Sequence, residues 1–417
     1  MGKHIKRKLL QELKDNIESK EILIIAGPRQ SGKTTLMKEL LNWLEIRGEK
    51  TLFLNFDYET DKIYLQSQDA LINRARLEFG EKRGYLFIDE IQRKENAGLF
   101  LKGIYDLNLP YKFIVSGSGS LELKEKIHES LAGRKTIFSL NPLDFFEFVD
   151  FKTDYKYSDR LPEFFEVEKQ KTGLFLDEYL NFGGYPRVVL NQTIDKKLAA
   201  INEIYSSVVE RDVSGFLGVE RPEAFSTLIR ILATQTGRLM KYSELAKQAG
   251  ISLPIVKKYL WYAQKIFIIS ILAPYFSNKQ KEILKSPVPY FVDIGMRNFA
   301  IGSFGKNGSR DLGFVFQNLV NNILLANLKP MEYLRFWRTN TGAEVDFVIV
   351  KGDILFPVEV KYIGLKTPTP GRSLLSFIEK YRPKEAWVVN LSLDTEIKIK
   401  TTTVKFIPYW KLWNKRN

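Results

Sequence analysis

Eight consecutive residues, Gly27-Pro28-Arg29-Gln30-Ser31-Gly32-Lys33-Thr34, match the pattern G-x-x-x-x-G-K-[ST] in full. The chemistry this suits is the holding of a polyphosphate. Gly27 and Gly32 let the backbone curl until successive N–H groups face one anion. The run from Thr35 to Leu44 reads as a helix, whose N-terminus adds partial positive charge. Lys33 is spaced to reach β- and γ-phosphates, and Thr34 to offer its hydroxyl to Mg²⁺. Further on, Tyr85–Glu90 is an apolar strand pattern that ends in two carboxylates. Asp89 at the strand's end is expected to hold the Mg²⁺, and Glu90 to orient and deprotonate an attacking water. A third apolar run, Lys112–Val115, ends in Ser116-Gly117-Ser118. A hydroxyl there either senses the γ-phosphate between the two earlier motifs or caps a loop.

Two more groups of residues carry chemistry. Glu344-Val345-Asp346 and Glu359-Val360-Lys361 lie in adjacent strand-like runs. Period two along a strand puts Glu359 and Lys361 on one face. With Asp346 on the neighbouring strand, two carboxylates and a lysine can bind Mg²⁺ and position a water for phosphodiester cleavage. Tyr242–Leu260 reads as two short helices around Gly250, with Lys257 and Lys258 on the second. Such lysines contact phosphates and base edges when a helix-turn-helix meets DNA; the alternative is a helix pair used for packing. Other chemistries are excluded. The chain has no cysteine, so disulfide frameworks, thiolate zinc sites and cysteine nucleophiles are out. Its two histidines, His4 and His128, do not make a histidine-built metal centre.

The elements that must position these groups follow from the same sequence. Residues 22–140 alternate strand-like runs with helical patterns, the signature of a parallel sheet covered by helices. Residues 141–235 read as mostly helical, with a break at Gly183-Gly184-Tyr185-Pro186. Residues 236–300 read as short helices followed by the strand-like run Ile266–Leu272. A helix over 311–328 precedes β-rich runs at Val345–Val350, Leu355–Val360, Ala386–Asn390 and Thr402–Phe406. Gly302–Gly308 is the best linker. The division expected is 1–140, 141–235, 236–302 and 303–417.

The charge is uneven. The 417 residues carry 63 Lys+Arg and 49 Asp+Glu, net +14. Residues 234–310 alone hold 12 basic against 3 acidic residues, net +9, a local field suited to a polyanion. No run approaches the roughly 18 apolar residues that span a bilayer, and the basic N-terminus is not followed by an apolar signal core. A cytoplasmic protein without membrane contact is the expectation.

GPRQSGKTTL, FIDEIQR, KFIVSGS and LAGR, together with the Gly-Gly-Tyr-Pro break, FWRTNTGAEVDF and FPVEVK, resemble AAA-type P-loop ATPases fused to a conserved C-terminal domain of unknown function. The resemblance implies an α/β fold: an AAA-like P-loop NTPase parallel sheet, a helical lid, a winged-helix region and a C-terminal restriction-endonuclease-like α/β domain. The loop motif itself puts Pro28, Arg29, Gln30, Ser31 and Thr35 in the nucleotide site, with Ser116 as the candidate γ-phosphate-sensing hydroxyl of the third run. The resemblance makes Arg134 in LAGR a candidate arginine finger or sensor, the alternative being a surface arginine after a helix. The C-terminal part resembles the PD-(D/E)xK fold, whose members usually place a glutamate where Gln317 stands here. An amide is a poorer Mg²⁺ ligand than a carboxylate, so weak or absent cleavage is expected. The expected cofactors are ATP and Mg²⁺. Three functions remain open: a DNA-associated ATPase or switch, an ATP-regulated metal-dependent nuclease, and a signalling or scaffold ATPase acting on a protein partner or as a homo-oligomer.

Overall fold

The computed structural model describes residues 4–118, 131–211, 219, 221–276, 286–304 and 309–413. His128 and the 305–308 part of the expected linker lie outside the described residues. The chain forms two compact units: residues 1–143, 185–222 and 260–268 make one, and 144–184, 223–259 and 269–417 the other.

The first unit is built on five strands: β1 (Ile22–Ala26), β2 (Thr51–Asn55), β3 (Gly84–Asp89), β4 (Tyr111–Gly117) and β5 (Lys135–Ser139). Their order is β2-β3-β4-β1-β5, and every pairing is parallel. The residues dictate this. β1 and β3 are buried at every position, as a strand covered on both faces requires. Alternate side chains then serve two cores. Ile22, Ile24, Leu86 and Ile88 pack with Leu71, Ala75, Leu101 and Ile104, from helices α4 (Gln68–Phe79) and α5 (Ala97–Asp106). Leu23, Ile25, Tyr85 and Phe87 pack on the other face with Leu36, Met37 and Leu40 of α2 (Lys33–Ile46) and Leu13 of α1 (Leu9–Asp15). The parallel sheet expected from the alternating pattern is therefore present. β5 has a half-buried, mixed pattern and stands at the sheet's edge, which is why no apolar run announced it.

The second unit is centred on six strands: β8 (Glu332–Arg338), β9 (Glu344–Lys351), β10 (Ile354–Val360), β11 (Glu385–Asn390), β12 (Thr395–Ile399) and β13 (Thr402–Pro408), in the order β12-β13-β11-β10-β9-β8. β10, β11 and β13 are mutually parallel and the outer pairings antiparallel. The helix Arg372–Tyr381 makes the crossover from β10 to β11 and buries Leu374, Phe377 and Ile378 against Trp337, Val345, Val388 and Phe406. The edge strands β8 and β12 were not anticipated from the sequence: β8 carries Glu332, Arg335 and Arg338, and β12 is five residues long with no buried position. A second cluster is aromatic: Phe145, Phe165, Tyr179, Tyr409 and Trp410 lie within about 5–6 Å of one another, ring centre to ring centre. It ties the helical segment after Asp144 to the chain's last turn.

Candidate functional site

Parallel strands aligned in register bring their carboxyl ends to one edge, where ligands of such sheets bind. Ala26 is level with Gly117, and Asn55 with Asp89. β4 lies between β1, which launches the glycine loop, and β3, which ends in the acid pair. Each motif residue thus arrives at the same edge by its position in a strand.

The loop has little freedom. A Cβ on Gly27 would stand 2.2 Å from the Leu140 carbonyl oxygen, so only glycine fits there. Gly32 has φ +97 and Gln30 φ 61, both left-handed. Lys33 is buried and folds back on its own loop, donating to the Gly27 and Pro28 carbonyls at 3.2 and 2.9 Å. Arg7, well ahead of the loop, donates to the carbonyls of Ser31 at 2.9 Å and Asn141 at 2.7 Å.

The acid pair is anchored from one helix and two strands. Thr34 Oγ1 donates to Asp89 Oδ2 at 2.6 Å, and Asn55 Nδ2 to the same oxygen at 3.3 Å. Ser116 Oγ donates to Asp89 Oδ1. Glu90 stands at φ 58, its N–H directed at Asp89 Oδ1 and Ser116 Oγ. Gln92 Nε2 donates to Glu90 Oε2. The hydroxyl of Thr34 and the carboxylate of Asp89 converge as two hard oxygen donors, a set that fits Mg²⁺.

These groups open on a cavity of about 820 Å³. Arg29, Gln30, Gly32, Lys33, Thr34, Thr35 and Glu90 line one side. The other side is Pro186, Arg187 and Leu190 of the helix Pro186–Leu190, with Lys196, Ala200 and Glu203 of the helix Ile194–Tyr205. Arg187 pairs with Glu203 at 2.7 Å, and Arg93 with Asp57. A volume of this size holds a small-molecule ligand, and the cationic side chains of Arg29, Lys33, Arg93, Arg187 and Lys196 around it suit an anionic one. Sequence reasoning named the glycine loop and the acids but missed Arg7, Asn55, Gln92, Arg93 and Arg187. Gln92 and Arg93 stand close enough to the acid pair to have been flagged; nothing local marks Arg7.

Arg134 is elsewhere. Its carbonyl accepts from Ile22 N–H at the start of β1, the end of the strand opposite the loop. Its guanidinium holds Asp106 at 2.8 Å and lies over the Tyr105 ring. Arg134 is not brought to the phosphate loop of its own chain.

In the second unit, four expected residues do meet. Gln317, on the helix Ser309–Asn327, donates from Nε2 to Asp346 Oδ1 at 2.9 Å, and Val360 N–H donates to Asp346 Oδ2 at 2.7 Å. Lys361 Nζ sits 2.8 Å from Glu359 Oε1. Burial, with a smaller push from the Glu359 charge, raises the Asp346 carboxyl to about 7. Both Asp346 oxygens are therefore engaged, and the group binds a proton readily. Within this set, Glu359 Oε2 is buried without a partner. Among the described residues no group of three or more carboxylate or histidine ligands could hold a metal ion. This set does not fit the Mg²⁺ that the nuclease-like resemblance implies.

The helices Tyr242–Ala249 and Leu253–Lys265 are joined by Gly250 at φ +64 and followed by an antiparallel pair, β6 (Ile269–Leu272) with β7 (Val288–Phe291). Lys257 and Lys258 are exposed on the second helix, Lys257 near the Tyr242 ring. Part of the +9 is spent internally, since Arg297 is buried in an ion pair with Asp311. Among the described residues no helix is long and apolar enough to cross a membrane.

Comparison with known proteins places three family models along the chain. Residues 19–149 match an AAA domain, 174–307 a domain of unknown function (DUF8612) and 312–412 another (DUF4143). An uncharacterised protein of Methanocaldococcus jannaschii is 26% identical over 410 residues, covering 94% of this chain and 88% of its own. One of Haemophilus influenzae is 26% identical over 363 residues, covering 85% of each. Two solved structures are similar to parts of the chain. One is a signal-transduction ATPase with numerous domains and a tetratricopeptide-repeat sensor from Pyrococcus horikoshii (14% identity, TM-score 0.28, 79% of this chain). This chain spans 46% of that protein. The other is DnaA from Aquifex aeolicus bound to AMPPCP (14% identity, TM-score 0.27, 62% of this chain and 87% of that one).

Proposed function

The chain carries an AAA-type P-loop ATPase domain at its N-terminal side, followed by two domains of unknown function, and from that premise we propose that it binds ATP with Mg²⁺, hydrolyses it, and couples its nucleotide state to DNA held elsewhere on the chain. The observation that carries the first part is the meeting of Lys33, Thr34, Asp89, Glu90 and Ser116 at one sheet edge that opens on one cavity. Backbone N–H groups of the loop take the phosphates. Lys33 leaves the Gly27 and Pro28 carbonyls for the β/γ-phosphate oxygens, a stronger charge-assisted interaction. Thr34 and Asp89 hold Mg²⁺, which when bound neutralises charge on those oxygens. Glu90 is the general base toward water. Arg187 exchanges Glu203 for a phosphate oxygen and closes the cavity from the far side. A measured ATP turnover that needs Mg²⁺ and disappears in Lys33→Ala tests this part.

The DNA part is supported by exposed Lys257 and Lys258 on the second helix of a helix-turn-helix pair, followed by a two-stranded sheet with the layout of a winged helix. Its test is salt-dependent binding of a DNA duplex by the full chain. Gln317, Asp346, Glu359 and Lys361 then form a nuclease-like platform that does not cleave. If DNA binding fails, the scaffold reading, with a protein partner, takes its place.

A further inference from the structure

Behind Glu90 lies a side chain outside the phosphate chemistry. Gln92 is 2% exposed and sits in the single turn Ile91–Arg93 that follows β3. It does not line the cavity, whereas Glu90 does. Among the described residues its carboxamide is held at both ends: Nε2 donates to Glu90 Oε2, and Oε1 accepts from the Ser118 N–H at 3.2 Å. The second bond decides the first. A backbone N–H can only donate, so the amide oxygen must face Ser118 and the NH₂ must face the glutamate. Ser118 immediately follows β4, whose Ser116 already holds Asp89. The end of β4 thus reaches Asp89 through a hydroxyl and Glu90 through Gln92.

A glutamate side chain has three rotatable bonds, and a base acts only within hydrogen-bond reach of the proton it removes. A bond to Oε2 from a buried amide restricts the carboxylate's rotation and leaves Oε1 without that bond, on a side chain that lines the cavity. The backbone at Glu90 is constrained as well, by its left-handed φ and by its N–H bonds to Asp89 and Ser116.

We propose that Gln92 is a positioning residue for Glu90: its carboxamide, oriented by the Ser118 N–H, aims the base at the attacking water. This rests on the reading of Glu90 as the base. The test is steady-state ATPase kinetics with ATP-binding calorimetry on the full chain, for Gln92→Glu, Gln92→Leu and, in parallel, Glu90→Gln. Gln92→Glu keeps the length and the acceptor for Ser118 but lacks the N–H donor. In both Gln92 variants kcat falls by about ten- to a hundredfold while KM and the ATP dissociation constant stay within about twofold, the pattern expected when an interaction made in the transition state is removed. If Glu90→Gln is inactive and Gln92→Glu retains wild-type kcat, the positioning role is overturned and the base stands. A fall in kcat matched by an equal loss of ATP affinity, or by a lowered melting temperature, also overturns it, because the role is then structural. Wild-type turnover in Glu90→Gln overturns the base reading itself.

Discussion

Lys33 is held by the Gly27 and Pro28 carbonyls of its own loop, and in the proposed reading a polyphosphate replaces them. Lys33→Ala should therefore abolish hydrolysis and weaken ATP binding, since no other group follows the β/γ charge; an unaltered turnover would remove the loop from the mechanism. Glu90→Gln should bind ATP normally and turn over about a hundredfold more slowly or worse. Asp346 is the residue whose charge depends most visibly on environment. Its carboxyl is raised from 3.8 to about 7, so between those values the folded chain holds a proton that the unfolded chain has lost. Its contribution to stability is therefore complete at acid pH and is lost as pH rises toward and through 7. The buried Asp293, raised to about 6, acts in the same direction. Asp346→Asn should flatten the fall in melting temperature between about pH 4 and 7, while changing it little below pH 4; an unchanged pH profile would show that Asp346 ionises freely. Gln317→Glu would place a third acid beside Asp346 and Glu359. Calorimetry without nucleotide should then register Mg²⁺ binding at this set that the Gln317 chain does not show there, and Glu359→Ala should remove it. The glycine loop and the acid pair were legible because their chemistry demands fixed spacing. Arg7 and Arg187 were not, because an arginine far along the chain has no spacing of its own to the loop.

At the scale of elements, the second helix of the helix-turn-helix pair carries the sharpest prediction. Lys257→Glu with Lys258→Glu should weaken duplex binding across all sequences. The slope of log affinity against log salt should become shallower by about one for each phosphate no longer neutralised. ATPase activity without DNA should hardly change. A folded double variant with the same affinity and slope would take this helix out of the interface. The strands show where sequence reasoning stops. β1, β3 and β4 announce themselves as apolar runs because both faces are covered. β5, β8 and β12 lie at sheet edges, where one face or one side meets water and charged residues are tolerated.

For the whole molecule, the coupling between nucleotide and nucleic acid is the property to measure. Duplex DNA should raise the ATPase rate of the intact chain, and the effect should fade as salt rises; a rate indifferent to DNA at low salt would favour a protein partner. Much of this protein was readable before folding: a glycine loop, an acid pair, a parallel sheet to carry them, two short helices around Gly250 and a second α/β region. These depend on local pattern, which the chain carries residue by residue. The tertiary structure decided what depends on distant segments. It placed β4 between β1 and β3, and so put Ser116 against Asp89. It brought residues between Pro186 and Ser207 to the cavity as its far wall and left Arg134 at the opposite end of β1. It also closed Gln317 onto Asp346. Each of these pairings joins residues far apart in the chain, set by strand order and burial, and no local pattern encodes it.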